Sequence, residues 1–157
     1  MRNNILFVGL DYAFTGKVAI KISEITDMFF LDVNKLIEYS LIDIKNVEVV
    51  CGVNYLNNQK KSIAQGVAKY ENTISNFPQS LFLTRGVASK LKQSCVIVYI
   101  KLPKNKIKKI SPMDLIVYDE INETLQRRAD IVINCQSKNI EDAVGLVVQQ
   151  LQTLKKY

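Results

Sequence analysis

The sequence predicts one three-layer α/β/α domain, residues 1–157, in which helices cover both faces of a five-stranded parallel sheet. Short apolar runs alternate along the chain with amphipathic stretches, which is the pattern of successive βαβ units. The apolar runs are continuous, as expected for strands that are buried on both faces. The last amphipathic stretch has the clearest helical periodicity in the chain.

Five apolar segments are predicted as strands. They are residues 5–8, 28–31, 73–75, 95–100 and 131–135. The clearest of them is 95–100, with the sequence Cys-Val-Ile-Val-Tyr-Ile. Ligands of such sheets bind beyond the carboxyl ends of the strands. We therefore expect the functional residues in the segments that follow the first four predicted strands.

Helices are predicted at residues 17–26, 34–39, 53–70, 84–93 and from residue 140 onward. In the first of these, Ile22 and Ile25 are the candidates for the side that faces the sheet. The last helix carries a continuous apolar stripe, formed by Ile140, Ala143, Val144, Val147, Val148, Leu151 and Leu154. Asn139 is predicted to cap this helix, with acidic residues in the first turn where the helix dipole favours them.

Composition narrows the function classes. The chain has three cysteines and no histidine, which argues against the common zinc sites and against catalytic pairs that need histidine. Cys95 and Cys135 fall in or beside strands, so both are predicted to be buried, reduced thiols in a cytoplasmic protein. No apolar run has the length of a membrane span, and the first residues do not resemble a signal peptide. We therefore expect no membrane association.

The net charge of +6 is concentrated in one basic run. Its members are Lys101, Lys104, Lys106, Lys108 and Lys109. No aromatic residues alternate with these lysines, so a solvated basic face is favoured over a nucleic-acid site. A module that binds nucleic acid or another polyanion is therefore the weakest of three functional hypotheses.

Four segments carry a family resemblance through their order and spacing. They are Val8-Gly9, residues 30–34 (Phe-Leu-Asp-Val-Asn), residues 96–103 (Val-Ile-Val-Tyr-Ile-Lys-Leu-Pro) and residues 128–134 (Arg-Ala-Asp-Ile-Val-Ile-Asn). With these segments the sequence resembles the shikimate kinases, which are small P-loop kinases. The resemblance covers nearly the whole chain and implies the P-loop kinase fold. It also implies Mg-ATP as cofactor and a hydroxyl of shikimate as phosphate acceptor.

The phosphate-binding pattern of that family, Gly-x4-Gly-Lys-[Ser/Thr], follows the first strand. Its backbone N–H groups surround phosphate, its lysine neutralises charge and its hydroxyl holds Mg²⁺. In one register Gly16-Lys17 is the family's Gly-Lys, and Asp11 and Val18 replace the first glycine and the hydroxyl. A second register needs no gap, so we prefer it.

In the preferred register Gly9 is the first glycine, Phe14 replaces the second glycine, Thr15 the lysine and Gly16 the hydroxyl. Both registers break the pattern. The candidates that remain for nucleotide contact are Gly9, Thr15, Gly16 and Lys17. Asp11 would repel a triphosphate and is predicted to cap the first helix instead.

The positions that contact the phosphate acceptor in the resembled family are also altered. Asp32 remains as a candidate acid, although it can also serve as a helix cap, and Asn34 replaces the aspartate that contacts shikimate in the family. The family's arginines fall at about Leu56 and Ile121, and its triple-glycine loop at about residues 76–79 (Asn-Phe-Pro-Gln). The expected lid, residues 104–112, contains no arginine.

Phosphoryl transfer depends on positioning and on neutralising charge, so changes at all these positions favour loss of the reaction. The first hypothesis is a pseudokinase that binds a protein partner or a small anionic ligand. The second is a divergent kinase that uses Lys17 and Asp32 with Mg-ATP, with lid lysines in place of arginine. In the first case Phe14 and Phe77 would fill the former ligand cleft.

Overall fold

The computed structural model describes residues 2–41, 43–107 and 116–155. Five strands form one sheet in the order β2-β3-β1-β4-β5, and all neighbouring strands are parallel. The strands are β1 Asn4–Gly9, β2 Phe29–Asp32, β3 Thr73–Pro78, β4 Cys95–Lys101 and β5 Ile131–Asn134. The predicted five-stranded parallel sheet is confirmed.

Helices cover both faces of this sheet. In chain order they are α1 Tyr12–Thr26, α2 Val33–Leu41, α3 Ile44–Cys51, α4 Val53–Gly66, α5 Gln79–Phe82, α6 Val87–Leu91, α7 Tyr118–Arg128 and α8 Ile140–Lys155. Helices α1 and α8 supply the core of one face together with Tyr118 of α7, whereas α2, α4, α5, α6 and the rest of α7 supply the core of the other. The predicted three layers are therefore present.

The alternation of side chains along β1 divides the core in two. Phe7 belongs to the cluster under α1 and α8, whereas Leu6 and Val8 belong to the cluster on the other face. All three side chains are fully buried. A central strand that is apolar on both faces therefore explains the continuous apolar run in the sequence.

Helix α1 differs from its predicted bounds in a way that matters for the site. It begins at Tyr12, five residues before the predicted start, because Asp11 caps it there. Ile22 is buried as predicted, but Ile25 is 59% exposed. Ile25 is about 60° around the helix axis from Ile22 and lies in the last turn of α1, at the edge of the side that contacts the sheet.

The middle of the chain contains more helices than predicted. Residues 53–70 divide into α4 and a 3₁₀ turn, Val67–Lys69, and β3 continues to Pro78, three residues beyond its predicted end. Residues 84–93 contain only the short α6. Helices α3, α5 and α7 lie outside the predicted helices. Helix α3 buries no side chain and α7 buries only two, so neither produces a strong apolar period.

The last helix follows the prediction closely. Asn139 Oδ1 accepts a hydrogen bond from the Asp142 N–H at 3.0 Å, which confirms the predicted cap. Ala143 and Val147 are buried, and Leu154 at the far end of the stripe is 43% exposed. Cys95 and Cys135 are buried, and Cys51 is exposed. Within the described ranges, no helix combines the length and the apolar composition that a membrane span requires.

Candidate functional site

The connection between β1 and α1 is two residues long, Leu10 and Asp11. Asp11 Oδ1 accepts a hydrogen bond from the Phe14 N–H at 3.0 Å, and the Asp11 carbonyl oxygen accepts from the Thr15 N–H at 3.0 Å. The predicted cap is therefore confirmed. A carboxylate of the chain itself occupies the start of α1, where an unpaired helix N-terminus would attract an anion.

The second oxygen of the same carboxylate forms an ion pair. Asp11 Oδ2 lies 2.5 Å from Lys138 Nζ, and the Asp11 side chain is only 12% exposed. Lys138 follows β5 and precedes α8, so the pair connects two segments that are far apart in sequence. No pattern in the sequence indicates this partner. The pair partly offsets the charge of Asp11 and gives the carboxylate a second contact.

Gly9 and Gly16 permit close packing in this region. A Cβ on Gly9 would lie 2.6 Å from Thr15 Oγ1 and 2.9 Å from the carbonyl oxygen of Ile100. A Cβ on Gly16 would lie 2.7 Å from Asn76 Nδ2. These contacts bring α1 against β1 and β3, and β1 close to β4. Both glycines therefore serve the approach of a helix to the sheet.

The other two candidates for nucleotide contact differ in accessibility. Thr15 is 1% exposed, and its hydroxyl donates a hydrogen bond to the Asp11 carbonyl oxygen at 2.9 Å. Lys17 is exposed and makes no ion pair with any other described residue. Of these two side chains, only that of Lys17 is available to a ligand from solvent.

Tyr12, which the sequence does not single out, joins three segments at the carboxyl ends of the strands. Its hydroxyl donates to Asp32 Oδ1 at 2.6 Å and lies 3.1 Å from the carbonyl oxygen of Asn76. The hydroxyl oxygen accepts from the Asn34 N–H at 3.3 Å. Burial, and next the hydrogen bond to Asp32, raise the pKa of Tyr12 above its ordinary value. Tyr12 is therefore a neutral hydrogen-bond donor near neutral pH.

Asp32 in β2 and Asn76 in β3 are the partners of Tyr12 in the sheet. Asp32 Oδ1 also accepts from the Lys35 N–H at 3.2 Å, in the first turn of α2, so Asp32 has the capping role that the sequence allows. Asn76 is 2% exposed, and its Nδ2 donates to the Tyr12 carbonyl oxygen at 3.0 Å. The described residues contain no group of three metal-ligating side chains. The arrangement connects β2, β3 and α1 through hydrogen bonds.

The positions that align with the arginines of the resembled family are apolar and face the core. Leu56, on α4, is 3% exposed. Ile121, on α7, is half-buried and packs against the second core cluster. Neither can present a charge to a ligand. Asn34 is exposed at the start of α2, and its side chain lines a cavity.

This cavity has a volume of about 560 Å³ and opens beside the carboxyl ends of β2 and β3. Its polar lining is formed by Asn34, Glu38, Asn57, Lys60, Ser80 and Thr84. Its apolar lining is formed by Ile37, Ile44, Pro78 and Leu81. We refer to it below as the α2/α4 cavity. It lies where ligands of parallel α/β sheets bind.

Phe14 and Phe77 are both buried, and they lie on opposite faces of the sheet. Phe14 packs in the cluster under α1, whereas Phe77 contacts Phe82 edge to face with ring centroids 6.3 Å apart. Neither ring lines the α2/α4 cavity. Both rings are thus part of the two cores, and their filling of a former cleft stays a hypothesis.

The basic run is only partly within the described residues. Lys104 Nζ lies 5.7 Å from the centre of the Tyr118 ring, in a cation–π arrangement. Lys101 is half-buried and Lys106 is exposed. Lys108, Lys109 and most of the expected lid lie outside the described residues.

Comparison with known proteins gives structural matches only. No protein-family model matches the sequence, and no curated protein matches it. Shikimate kinase from Acinetobacter baumannii, solved in complex with shikimate, has a TM-score of 0.81 at 18% identity over 99% of this chain and 96% of that chain. Shikimate kinase from Aquifex aeolicus has a TM-score of 0.79 at 17% identity, over 97% of this chain and 98% of that chain.

A kinase with a different substrate is also similar. Dephospho-CoA kinase from Campylobacter jejuni has a TM-score of 0.63 at 15% identity, over 99% of this chain and 98% of that chain. Nearly complete coverage in both directions means that the whole architecture is shared. The chain therefore has the fold of the shikimate kinases and other P-loop small-molecule kinases.

Proposed function

We propose that this protein is a shikimate-kinase-like pseudokinase, which has lost phosphoryl transfer and acts by binding a ligand or a protein partner. One observation carries the proposal. The carboxylate of Asp11 caps the start of α1, at the position where a P-loop protein binds phosphate. The capping carboxylate supplies the acceptor that the helix N–H groups would otherwise find in a phosphate.

Charge supports the same conclusion. Two unit charges of like sign 4 Å apart repel by about 1 to 4 kcal/mol, depending on solvent exposure. A triphosphate carries several negative charges, and the Asp11 carboxylate would repel each of them. Lys138 only partly offsets the charge of Asp11, and because it is already paired it is not a free cation for a phosphate. The side chain in the lysine position of the preferred register, Thr15, is buried and neutral. The residues at this helix start therefore do not fit Mg-ATP.

Calorimetric titration with Mg-ATP tests the proposal directly. We expect no binding tighter than about 1 mM, because the interactions that give P-loop kinases micromolar affinity are missing. ADP release, measured by a coupled assay with and without shikimate, should equal the rate without protein. Micromolar ATP binding that Lys17→Ala abolishes and Lys21→Ala preserves would overturn the proposal. Lys21 is a matched control because it lies one turn further along α1 and pairs with Glu24.

A second candidate is a divergent kinase, and the exposure of Lys17 is the observation that favours it. Lysine can bind phosphate as a point charge without an arginine. Such an enzyme would need Asp32 as the acid or base on the acceptor side, although Asp32 already accepts hydrogen bonds from Tyr12 and Lys35. Shikimate-dependent ADP release that Asp32→Asn removes would establish this candidate in place of the first.

A further inference from the structure

Another cavity, the α6/α7 cavity, has a volume of about 230 Å³ and lies between α6 and the end of α7. Its lining consists of Gly86, Ala88, Ser89, Lys92 and Arg128. Lys92 lies shortly before β4, and Arg128 lies shortly before β5. These two side chains are therefore at the amino ends of the strands, whereas Asp11 and the start of α1 follow the carboxyl end of β1.

The α6/α7 cavity is cationic. Arg128 and Lys92 are half-buried, and neither forms an ion pair with another described residue. Lys61 of α4 is also half-buried, and its Nζ lies 4.0 Å from the position that a Cβ on Gly86 would occupy. Lys61 has no ion pair within the described ranges either. Three positive charges from separate elements therefore lie around one small cavity, and no described acidic residue lines it.

Each of the two cations that line the cavity has an exposed neighbour near the end of the same helix. Arg127 and Arg128 both lie in the last turn of α7, where the helix dipole favours cations. The dipole does not distinguish them, yet Arg127 is exposed and only Arg128 lines the cavity. Lys90 at the end of α6 is likewise exposed, whereas Lys92 lines the cavity. Arg128 and Lys92 are therefore the members of each pair that can contact an anion in the cavity.

The size and the donors of the cavity define the ligand. Its volume of about 230 Å³ is below the roughly 300 to 1,000 Å³ of sites for drug-sized molecules, so a single polyatomic anion fits better than a nucleotide. Arginine presents two parallel donors to phosphate, and lysine binds phosphate as a point charge. Ser89 is exposed and its hydroxyl donates to the Gly86 carbonyl oxygen at 3.3 Å, so recognition depends on the cations.

We propose that the α6/α7 cavity binds a phosphate dianion, either free or as the terminal group of a small phosphate monoester. The ligand offsets the charges of Arg128, Lys92 and Lys61, which have no part in the proposed function. Binding in this cavity is independent of whether the protein transfers phosphate, because the cavity is separate from the capped start of α1. Nucleic acid is a different ligand, since each of its phosphates carries one negative charge within an extended backbone.

Titration with sodium phosphate at constant ionic strength, followed by amide NMR, tests the site at about pH 7.5, where phosphate is mainly a dianion. The Gly86 amide should shift saturably with a Kd of about 1 to 5 mM, because solvent partly screens the cations. The Gly16 amide, in the first turns of α1, should not shift. Glycerol 3-phosphate distinguishes the two sources of the anion: tighter binding than phosphate identifies a monoester as the ligand, and equal or weaker binding identifies the free ion. The absence of a saturable Gly86 shift up to about 20 mM of either compound would overturn the inference.

Two pairs of variants locate the binding in the cavity. Arg128→Gln should weaken phosphate binding about tenfold or more through loss of a charged, two-donor contact, and Lys92→Gln about threefold to tenfold. The exposed neighbours are matched controls, because Arg127→Gln and Lys90→Gln remove the same charge outside the cavity. Each control should change the Kd by less than about twofold. Equal weakening within both pairs would indicate diffuse attraction to a basic surface and would overturn the inference.

Failure of this inference is distinguishable from failure of the pseudokinase proposal. A phosphate-dependent shift of the Gly16 amide, with the Gly86 amide unchanged, would place the anion at the start of α1 and contradict both. Mg-ATP binding that Lys17→Ala preserves and Arg128→Gln removes would belong to the α6/α7 cavity and would support the inference. Binding of a short single-stranded oligonucleotide, with no binding of phosphate or glycerol 3-phosphate, would overturn the inference in favour of a polyanion surface.

Discussion

Tyr12 organises the carboxyl ends of the strands at the scale of single residues. Its hydroxyl lies within hydrogen-bonding distance of Asp32 and Asn76, and its carbonyl oxygen accepts from the Asn76 amide. These partners lie 20 and 64 positions away in the sequence. In the resembled family this stretch of chain would be part of the phosphate-binding loop. Here it is the first turn of a helix.

Replacing Tyr12 with phenylalanine should lower the free energy of unfolding by about 1 to 2 kcal/mol. The variant leaves Asp32 without its closest donor and keeps the ring. Urea denaturation at pH 7 measures the change. Tyr39→Phe is a suitable control because that side chain is exposed on α2. Removal of its hydroxyl should leave the free energy of unfolding unchanged. Equal stability of the wild type and Tyr12→Phe would contradict the assigned hydrogen bond.

At the scale of secondary-structure elements, the short connection between β1 and α1 determines where α1 begins. Asp11 caps the helix after a connection of only two residues from β1. Gly9 and Gly16, which lack side chains, permit the helix to lie close to the sheet. The capping carboxylate and the close packing at the two glycines therefore both stabilise the start of α1.

The Asp11 cap should contribute more to stability than the Asp43 cap. Asp43 Oδ1 accepts from the Asn46 N–H at 3.2 Å in the same capping geometry, but the helix it starts buries no side chain. Asp11→Ala should cost about 1 to 2 kcal/mol of unfolding free energy, because α1 packs in the core. Asp43→Ala should cost less than about 0.5 kcal/mol, because α3 can fray without exposing the core. Thermal and urea unfolding of both variants provide the comparison, and equal losses would contradict it.

At the scale of the whole molecule, several buried acidic groups are held neutral. Burial is the main cause that raises the pKa of the Cys95 and Cys135 thiols, and it also raises the pKa of Tyr99 and Tyr118. These groups ionise more readily in the unfolded chain than in the folded protein. The stability that they contribute is complete below the pKa of the unfolded groups and decreases as the pH rises above it.

Stability should therefore fall on the alkaline side, first through the thiols above about pH 8.5 and then through the phenols above about pH 10. The double variant Cys95→Ala/Cys135→Ala should lose less free energy of unfolding between about pH 8 and pH 9.5 than the wild type does. Cys51→Ala should behave as the wild type, because Cys51 is exposed. Denaturant titrations at several pH values provide the measurement. A pH-independent stability across this range would contradict the prediction.

Local patterns in the sequence determined much of the architecture. Continuous apolar runs such as residues 95–100 specify buried parallel strands, and the stripe from Ile140 specifies the last helix. The Asp11 cap could also be predicted, because capping depends on residues three positions apart. Helices α3 and α7 could not be predicted, because they bury too few side chains to show an apolar period.

The tertiary structure alone decided which groups meet at the site. The pairing of Asp11 with Lys138, the contacts of Tyr12 and the α2/α4 cavity all join residues from separate elements. The burial of Thr15 likewise depends on how closely α1 packs against the sheet. Such contacts follow from the packing of whole helices and strands, which spacing along the chain does not encode. The sequence alone therefore indicated a P-loop kinase fold and a capped first helix, and the packing of helices and strands decided which distant side chains meet there.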